Sequence, residues 1–187
     1  MKIVLPKTFC EIDPDYGPLF FLAGPVRGGN DWQKKCCEEI QKILPHFYAA
    51  IPYYFSTLEN YPLRNLGIPG KEGVFSRQLN WERHYLDHAA KNGCLIFWLP
   101  EESKTNPRTP EEGPYATDTR GEIARWSVEL KYNPTYRIVV GAEKGFPNLS
   151  QIDRNFSADQ KTSFPFYKTL AVTVREAVRK TGYKTIQ

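Results

Sequence analysis

Three segments of the 187-residue sequence combine residue types that can do chemistry. The first, FFLAGPVRGGNDW at residues 20–32, runs from apolar residues into a glycine-rich turn. Gly24, Gly28 and Gly29 would let backbone N–H groups approach a ligand closely, and a helix starting after the turn would offer a phosphate or hydroxyl its positive end. The segment matches neither GxGxxG nor the P-loop pattern. An ordinary tight turn between a strand and a helix is therefore the alternative.

The second segment, TDTRGEIARW at residues 117–126, contains a carboxylate close to a predicted helix start. Thr119 can cap a helix whose first turn carries Glu122. That carboxylate would then lie near the carboxyl end of a strand and face a cleft. The pattern T-x-x-E is equally the signature of a capping box, in which Glu122 would only satisfy the helix backbone. Both interpretations stay open at this point.

The third segment, WERHYLDHAAKNG at residues 81–93, carries Asp87 between two histidines. His84 and His88 are four residues apart, a spacing that can bind a metal, but no third ligand is evident and HExxH is absent. Histidines facing solvent are therefore favoured, and we expect no metal and no cofactor. Asp87 lies one turn before the predicted helix end, where it either faces the cleft or lies in solvent.

Apolar periodicity places these segments in an alternating series of strands and helices. That order predicts an α/β fold, with a parallel sheet covered by helices on both faces and ligands bound beyond the carboxyl ends of the strands. Two long loops, 52–78 and 100–118, are then expected to be substrate walls or lids. The predicted strands are 19–23, 47–51, 95–99 and 136–141, and the predicted helices are 30–44, 80–91, 119–131 and 167–180.

Composition limits the class of protein. The length fits one compact domain, and 25 basic against 21 acidic residues give a net charge of only +4, with no basic run of the kind that marks nucleic-acid binding. Because no apolar window reaches the roughly 18 residues of a membrane helix, we expect a soluble cytoplasmic protein. The cysteines form neither a disulfide framework nor a CxxC pair, which favours a reducing compartment: Cys10, Cys36, Cys37 and Cys94.

Taken together, the segments resemble a known family. LFFLAGPV followed by Trp32, then WERHYLDHAAKNGCLIFWLP, then TRGEIARW before the RIVVG strand are similar in order and spacing to the nucleoside 2-deoxyribosyltransferase-like family. The resemblance covers most of residues 19–141, and its most specific parts are the FLAGP turn and the FWLP strand paired with a later helix start bearing a glutamate. It implies a flavodoxin-like, Rossmann-like parallel sheet, one such domain over residues 1–187, and a homo-oligomer.

The resemblance also implies roles for particular carboxylates. Glu122 corresponds to the family's nucleophile, which attacks C1′ of a deoxyribonucleoside. Asp87 corresponds to an aspartate that contacts the sugar or assists proton transfer to the base, and Asp118 is a loose counterpart of a further family aspartate. The sequence departs from the family in its longer loop at 101–117 and in Arg120, where the family often has a small or neutral residue, so base specificity and the acceptor stay open.

The chemistry of N-glycosidic cleavage suits these residue types. Positive charge develops on the sugar carbon, which a carboxylate can capture while an acid helps the base to leave. The turn at Gly24 and Pro25 can hold sugar hydroxyls or a 5′-phosphate. Arg27 can bind a phosphate in a bidentate manner, or it is a solvated loop residue. Trp32 or Tyr53 can stack on the base, although Trp32 can equally pack a helix against the sheet.

The sequence therefore predicts a nucleoside 2-deoxyribosyltransferase that forms a covalent intermediate on Glu122 and passes the sugar to another nucleobase. The alternatives are a deoxynucleoside 5′-monophosphate N-glycosidase, which uses water as acceptor, and a nucleotide-binding module without turnover. The expected partners are a deoxynucleoside or deoxynucleotide, a nucleobase and copies of the same chain, and neither nucleic acid nor a membrane is expected. Trp81 and Trp126 are expected to lie in the core or an interface.

Overall fold

The computed structural model describes residues 1–52, 74–161 and 164–185, with the backbone alone at 74–77 and 112. Within these ranges six strands, all parallel, form one sheet in the order β1-β3-β2-β4-β5-β6. The strands are β1 (Lys2–Val4), β2 (Leu19–Ala23), β3 (Tyr48–Ala50), β4 (Cys94–Leu99), β5 (Ile138–Ala142) and β6 (Phe166–Tyr167). The helices are α1 (Trp32–Gln41), α2 (Val74–Asn92), α3 (Thr117–Tyr132), α4 (Leu149–Gln160) and α5 (Leu170–Thr181).

This architecture confirms the predicted flavodoxin-like α/β fold. Every residue of β2, β4 and β5 is buried, because these strands are apolar on both sides and helices cover both faces of the sheet. Alternate residues of β4 enter separate cores. Phe97 packs in the core beneath α2, α3 and α4, and Trp98 packs in the core beneath α1 and α5.

The strand order places a crevice between β2 and β4. The chain leaves β2 towards β3 on one side of the sheet and leaves β4 towards β5 on the other. At such a reversal of direction the two connections diverge and leave a gap beyond the carboxyl ends of the strands, where ligands bind in open parallel sheets. Here the gap lies beyond Ala23 and Leu99, so both sequence-predicted segments that follow these strands begin at its rim.

Three elements of the structure are absent from the sequence-based prediction, because their apolar periodicity is weak. Strand β1 has only three residues, α4 buries only Ile152 and Phe156, and β6 has two half-buried residues. Strand β6 occupies the start of the helix predicted over 167–180, so that α5 begins only at Leu170.

Helix boundaries differ as well. Helix α2 begins six residues before the predicted start at 80, and α1 ends three residues before the predicted end at 44. Most of the predicted loop 52–78, including Tyr53, lies outside the described residues.

Two further observations concern the chain as a whole. The four cysteines are free thiols, and three of them are buried in the core beneath α1 and α5. In the described ranges, no helix combines the length and the apolar character that crossing a bilayer requires.

Candidate functional site

Glu122 lies near the start of α3, on the face of the sheet that α2 and α3 cover. The helix begins at Thr117 rather than at Thr119, and its N-cap is Ala116, which has a left-handed φ of 59° and makes no side-chain cap. Thr119 is buried within the first turn. The capping box that the T-x-x-E pattern allowed is therefore not the arrangement at this helix start.

A second carboxylate, Glu82 on α2, lies near enough to Glu122 to repel its charge. Glu82 is partly buried and its Oε1 accepts a hydrogen bond of 2.6 Å from Nε2 of Gln78, one turn earlier on α2. The neighbouring Trp81 is fully buried in the core and fixes the rotation of the helix at this point. Asp118, one turn before Glu122 on α3, adds a third negative charge. We call Glu122, Glu82 and Asp118 the carboxylate cluster.

The environment of Glu122 changes its acidity. Burial, together with the negative charges of Glu82 and Asp118, raises the pKa of the Glu122 carboxyl from 4.5 to about 7, with burial the larger cause. Arg125 opposes the shift weakly, because its exposed guanidinium is also drawn to Glu129 at 3.9 Å. A carboxyl with this pKa exchanges its proton near neutral pH. It can serve as an acid, a base or a nucleophile there.

Negative charge exceeds positive charge around Glu122, because Glu82 and Asp118 both act against the single opposing charge of Arg125. Three carboxyl groups near one another, one of them largely removed from water, are destabilised when all are ionised. A positive charge that develops beside them relieves this repulsion. A developing positive charge at this place would therefore be stabilised more strongly than a neutral group.

The structure does not bring Asp87 to Glu122. Asp87 is about half exposed and its Oδ2 pairs with Nζ of Lys91 at 2.7 Å. Lys91 in turn lies near Tyr136 and accepts, through its carbonyl, a hydrogen bond from Arg137, just before the amino end of β5. Asp87 therefore faces solvent towards the edge of the sheet opposite to the crevice, and the second carboxylate beside Glu122 is Glu82.

The helical periodicity of α2 contains the signal that distinguishes the two acids. Glu82 precedes Leu86 and Ala89 at spacings of four and seven, so it lies on the border of the buried stripe. Asp87 shares its stripe with Arg83 and Lys91, which are both exposed. Residues five apart on a helix point about 140° away from each other and lie about 7.5 Å apart along the axis.

The glycine-rich turn after β2 forms a closely packed corner around Trp32. Trp32 is 3% exposed, and its Nε1 donates a hydrogen bond of 2.8 Å to the carbonyl of Pro25. A Cβ at Gly24 would lie 2.3 Å from the carbonyl oxygen of Trp98 and 2.7 Å from the Trp32 ring, so only glycine fits there. Trp32 thus packs α1 against the sheet, as one of the two interpretations of the sequence held.

The loop that follows β4 folds onto this turn. The backbone N–H of Ser103 donates a hydrogen bond of 2.7 Å to the carbonyl of Gly28. Within the loop, Arg108 pairs with Glu102 at 3.2 Å, and the Tyr115 hydroxyl donates to the carbonyl of Pro100 at 2.9 Å. The predicted loop 100–118 therefore forms a wall of the crevice in its described part.

The other residues singled out in the sequence occupy varied positions. Arg27 and Asp118 are exposed, the former in the turn and the latter in the first turn of α3. His84 packs its ring edge-on against Phe9, with centroids 5.4 Å apart. In the part of the chain that the structure describes, no three His, Cys, Asp or Glu residues are grouped to hold a metal ion. Trp81 and Trp126 are core residues, as expected.

Comparison with known proteins adds no relative: no family model matches this chain, and no curated protein matches it significantly.

The raised pKa of Glu122 predicts a pH-dependent loss of stability. Below about pH 4.5 the carboxyl is protonated in both the folded and the unfolded chain, whereas between 4.5 and 7 only the folded chain holds the proton. Stability therefore falls as the pH rises through this window. Glu122→Gln removes the charge. We therefore expect the free energy of unfolding of this variant to exceed that of the parent protein by on the order of 2 kcal/mol near pH 8 and by little near pH 4.5. Urea denaturation across this range measures the difference.

The matched control is Glu129→Gln on the same helix. Glu129 is partly exposed and its contact with Arg125 is long, so the substitution should change the free energy of unfolding by less than about 0.5 kcal/mol at either pH. If Glu122→Gln changed the free energy of unfolding by the same amount at both pH values, the result would contradict the proposed environment of Glu122.

Proposed function

We propose that this chain is a nucleoside 2-deoxyribosyltransferase that cleaves the N-glycosidic bond of 2′-deoxyribonucleosides through a covalent intermediate on Glu122. The observation that carries the proposal is the position of the carboxylate cluster near the carboxyl edge of the sheet, with the pKa of Glu122 near 7. The resemblance of LFFLAGPV, FWLP and TRGEIARW to the deoxyribosyltransferase-like family supplies the substrate class. The turn after β2 and the loop after β4 enclose part of the crevice, and a crevice enclosed in this way suits a small substrate.

In the proposed reaction an ionised Oε of Glu122 attacks C1′ as the bond from C1′ to the base nitrogen breaks. The electron pair of that bond leaves with the base, which takes a proton from a neighbouring carboxyl group. Positive charge on the sugar carbon is greatest when the bond to the base is largely broken and the bond to Glu122 is only partly formed. That charge relieves the repulsion among the three carboxyl groups. A second nucleobase then attacks C1′ through a ring nitrogen, its N–H proton passes to the carboxylate left by the acid, and the bond from C1′ to Glu122 breaks to restore the Glu122 carboxylate.

Glu82 is the group that we assign as the acid, in place of Asp87. It has the environment that the role requires, since it lies beside Glu122 on the same side of the sheet and its carboxylate is oriented by Gln78.

A fluorinated substrate tests the covalent step. A 2′-fluoro substituent opposes positive charge at C1′ and slows both formation and breakdown of the intermediate, and a good leaving group restores the rate of formation. We expect intact-mass measurement to show one fluorodeoxyribosyl group added to each chain. Peptide mapping should place it on Glu122, and a free nucleobase should discharge it.

Glu122→Gln is the test variant in this experiment, and Glu129→Gln is its control. The first should form no adduct and the second should form it like the parent protein, because Glu129 lies on the exposed part of α3. An adduct on Glu82 or Asp118 would refute Glu122 as nucleophile. Release of the label at the same rate with and without a nucleobase would identify a hydrolase. Turnover with no adduct from any fluorinated analogue would instead favour direct attack by water, with Glu122 as the base that activates it.

A second prediction separates the two acids of α2. Glu82→Gln should reduce kcat by about 100-fold or more, with the greatest loss for substrates whose base is a poor leaving group, because such bases depend on protonation. Asp87→Asn alters an exposed ion pair on the same helix and should leave kcat within about twofold of the parent value. Steady-state kinetics with nucleosides of graded leaving-group ability measure both. A large effect of Asp87→Asn with a small effect of Glu82→Gln would reverse the assignment.

A further inference from the structure

Arg120 lies only two residues before Glu122 on α3, but its side chain contacts the loop between β5 and α4. Its Nη2 donates a hydrogen bond of 3.2 Å to the carbonyl of Pro147, and its guanidinium carbon lies 5.5 Å from the centroid of the Phe146 ring. Its Nε is buried without a hydrogen bond of its own, so the guanidinium is enclosed between the helix and the loop. The arginine whose charge lowers the pKa of Glu122 is Arg125. Arg120 therefore acts on the loop rather than on the carboxylate cluster.

Phe146 contacts residues on both sides of the first turn of α3. Its ring centroid lies 5.8 Å from that of Tyr115, which precedes the helix, and Arg120, at the end of the turn, lies on its other side. Phe146 is only 3% exposed, so both contacts are shielded from water. The N-cap Ala116 makes no side-chain hydrogen bond, and the usual polar cap is therefore missing. The turn that leads to Glu122 is held by contacts with Phe146 instead.

The turn that carries Phe146 is tied to the carboxyl ends of β4 and β5. Glu143 follows β5 directly, and its backbone N–H donates a hydrogen bond of 3.0 Å to the carbonyl of Leu99 at the end of β4. The carboxylate of Glu143 accepts a hydrogen bond of 2.8 Å from the backbone of Glu101. The backbone N–H of Phe146 then donates a hydrogen bond of 3.0 Å to the carbonyl of Glu143. Phe146 is thus fixed relative to the sheet, and through it the start of α3 is fixed as well.

We propose that Arg120 and Phe146 are positioning residues, which hold the first turn of α3 so that the Glu122 carboxyl keeps its place in the carboxylate cluster. A nucleophile that is displaced by about 1 Å from the carbon it attacks can lose about 100-fold in rate. The same displacement admits water to the carboxyl and lowers its pKa towards the ordinary value. The effect on rate rests on the function proposed above, whereas the effect on the pKa of Glu122 can be measured without turnover.

Two substitutions test this positioning from opposite sides of the contact. Phe146→Leu keeps an apolar side chain but removes the ring, and Arg120→Met removes the charge and the hydrogen bond to the loop. In both variants, NMR titration of 13C-labelled glutamate should show the proton affinity of Glu122 weakened by about tenfold, so that its pKa lies below that of the parent protein. We expect kcat to fall by about tenfold and KM to stay within about twofold, because the turn and loop walls are unchanged. The double variant should be no worse than either single variant, since both remove the same contact.

The conservative variant Arg120→Lys keeps a cation beside the Phe146 ring, so it should restore most of the pKa of Glu122 and most of kcat. Arg120 is partly exposed, and its variants therefore leave the core intact even if Phe146→Leu fails to fold. Unchanged far-UV spectra verify the fold of each variant.

Arg125→Met is the matched control, because it removes an arginine from the exposed part of the same helix. The charge of Arg125 favours the ionised form of Glu122, so its loss should raise the pKa of Glu122, the opposite of the change in Arg120→Met. A raised pKa in Arg120→Met with no change in Phe146→Leu would show that Arg120 acts through its charge, and would overturn the positioning role. An unchanged pKa and kcat in both variants, or a raised KM with unchanged kcat, would overturn it as well. If the expected pKa changes occurred in a chain without turnover, the positioning role would be supported and the proposed function refuted.

Discussion

Repulsion between carboxyl groups that the core holds close together is the interaction on which this account depends. Glu122 and Glu82 lie on different helices, and each helix is fixed to the sheet by a buried tryptophan near its glutamate, Trp81 on α2 and Trp126 on α3. Apolar burial of these rings fixes both helices to the sheet, so the two acids cannot move apart freely. The raised pKa of Glu122 is therefore a consequence of core packing.

The sheet separates two chemically different regions at one edge. On the α2 and α3 face the described groups near Glu122 are mainly negative, whereas the α1 and α5 face carries charges of both signs near the helix starts. The glycine turn after β2 lies on the α1 side of this edge. Gly24 brings Trp32 against the backbone of β4, and Gly28 receives the loop that follows β4. One tight corner thus shapes a wall of the crevice.

The sequence predicted the fold more completely than the site, for physical reasons. Continuous apolar runs such as LFFLA and CLIFWL admit few structures other than buried parallel strands, so the sheet could be predicted. Glu122 could be located because it lies near the start of the first α-helix after such a strand. The choice between Asp87 and Glu82 depended on the rotation of α2, which buried Trp81 fixes.

The most direct test of this account is the titration of Glu122 itself. Carboxyl carbons of 13C-labelled glutamate are followed by NMR from about pH 3 to pH 9, and the resonance missing in Glu122→Gln identifies this residue. The account predicts a pKa near 7 that falls clearly in Glu82→Gln and stays unchanged in Asp87→Asn. A pKa near the ordinary 4.5 in the parent protein, or the same value with and without the Glu82 charge, would contradict the existence of the carboxylate cluster.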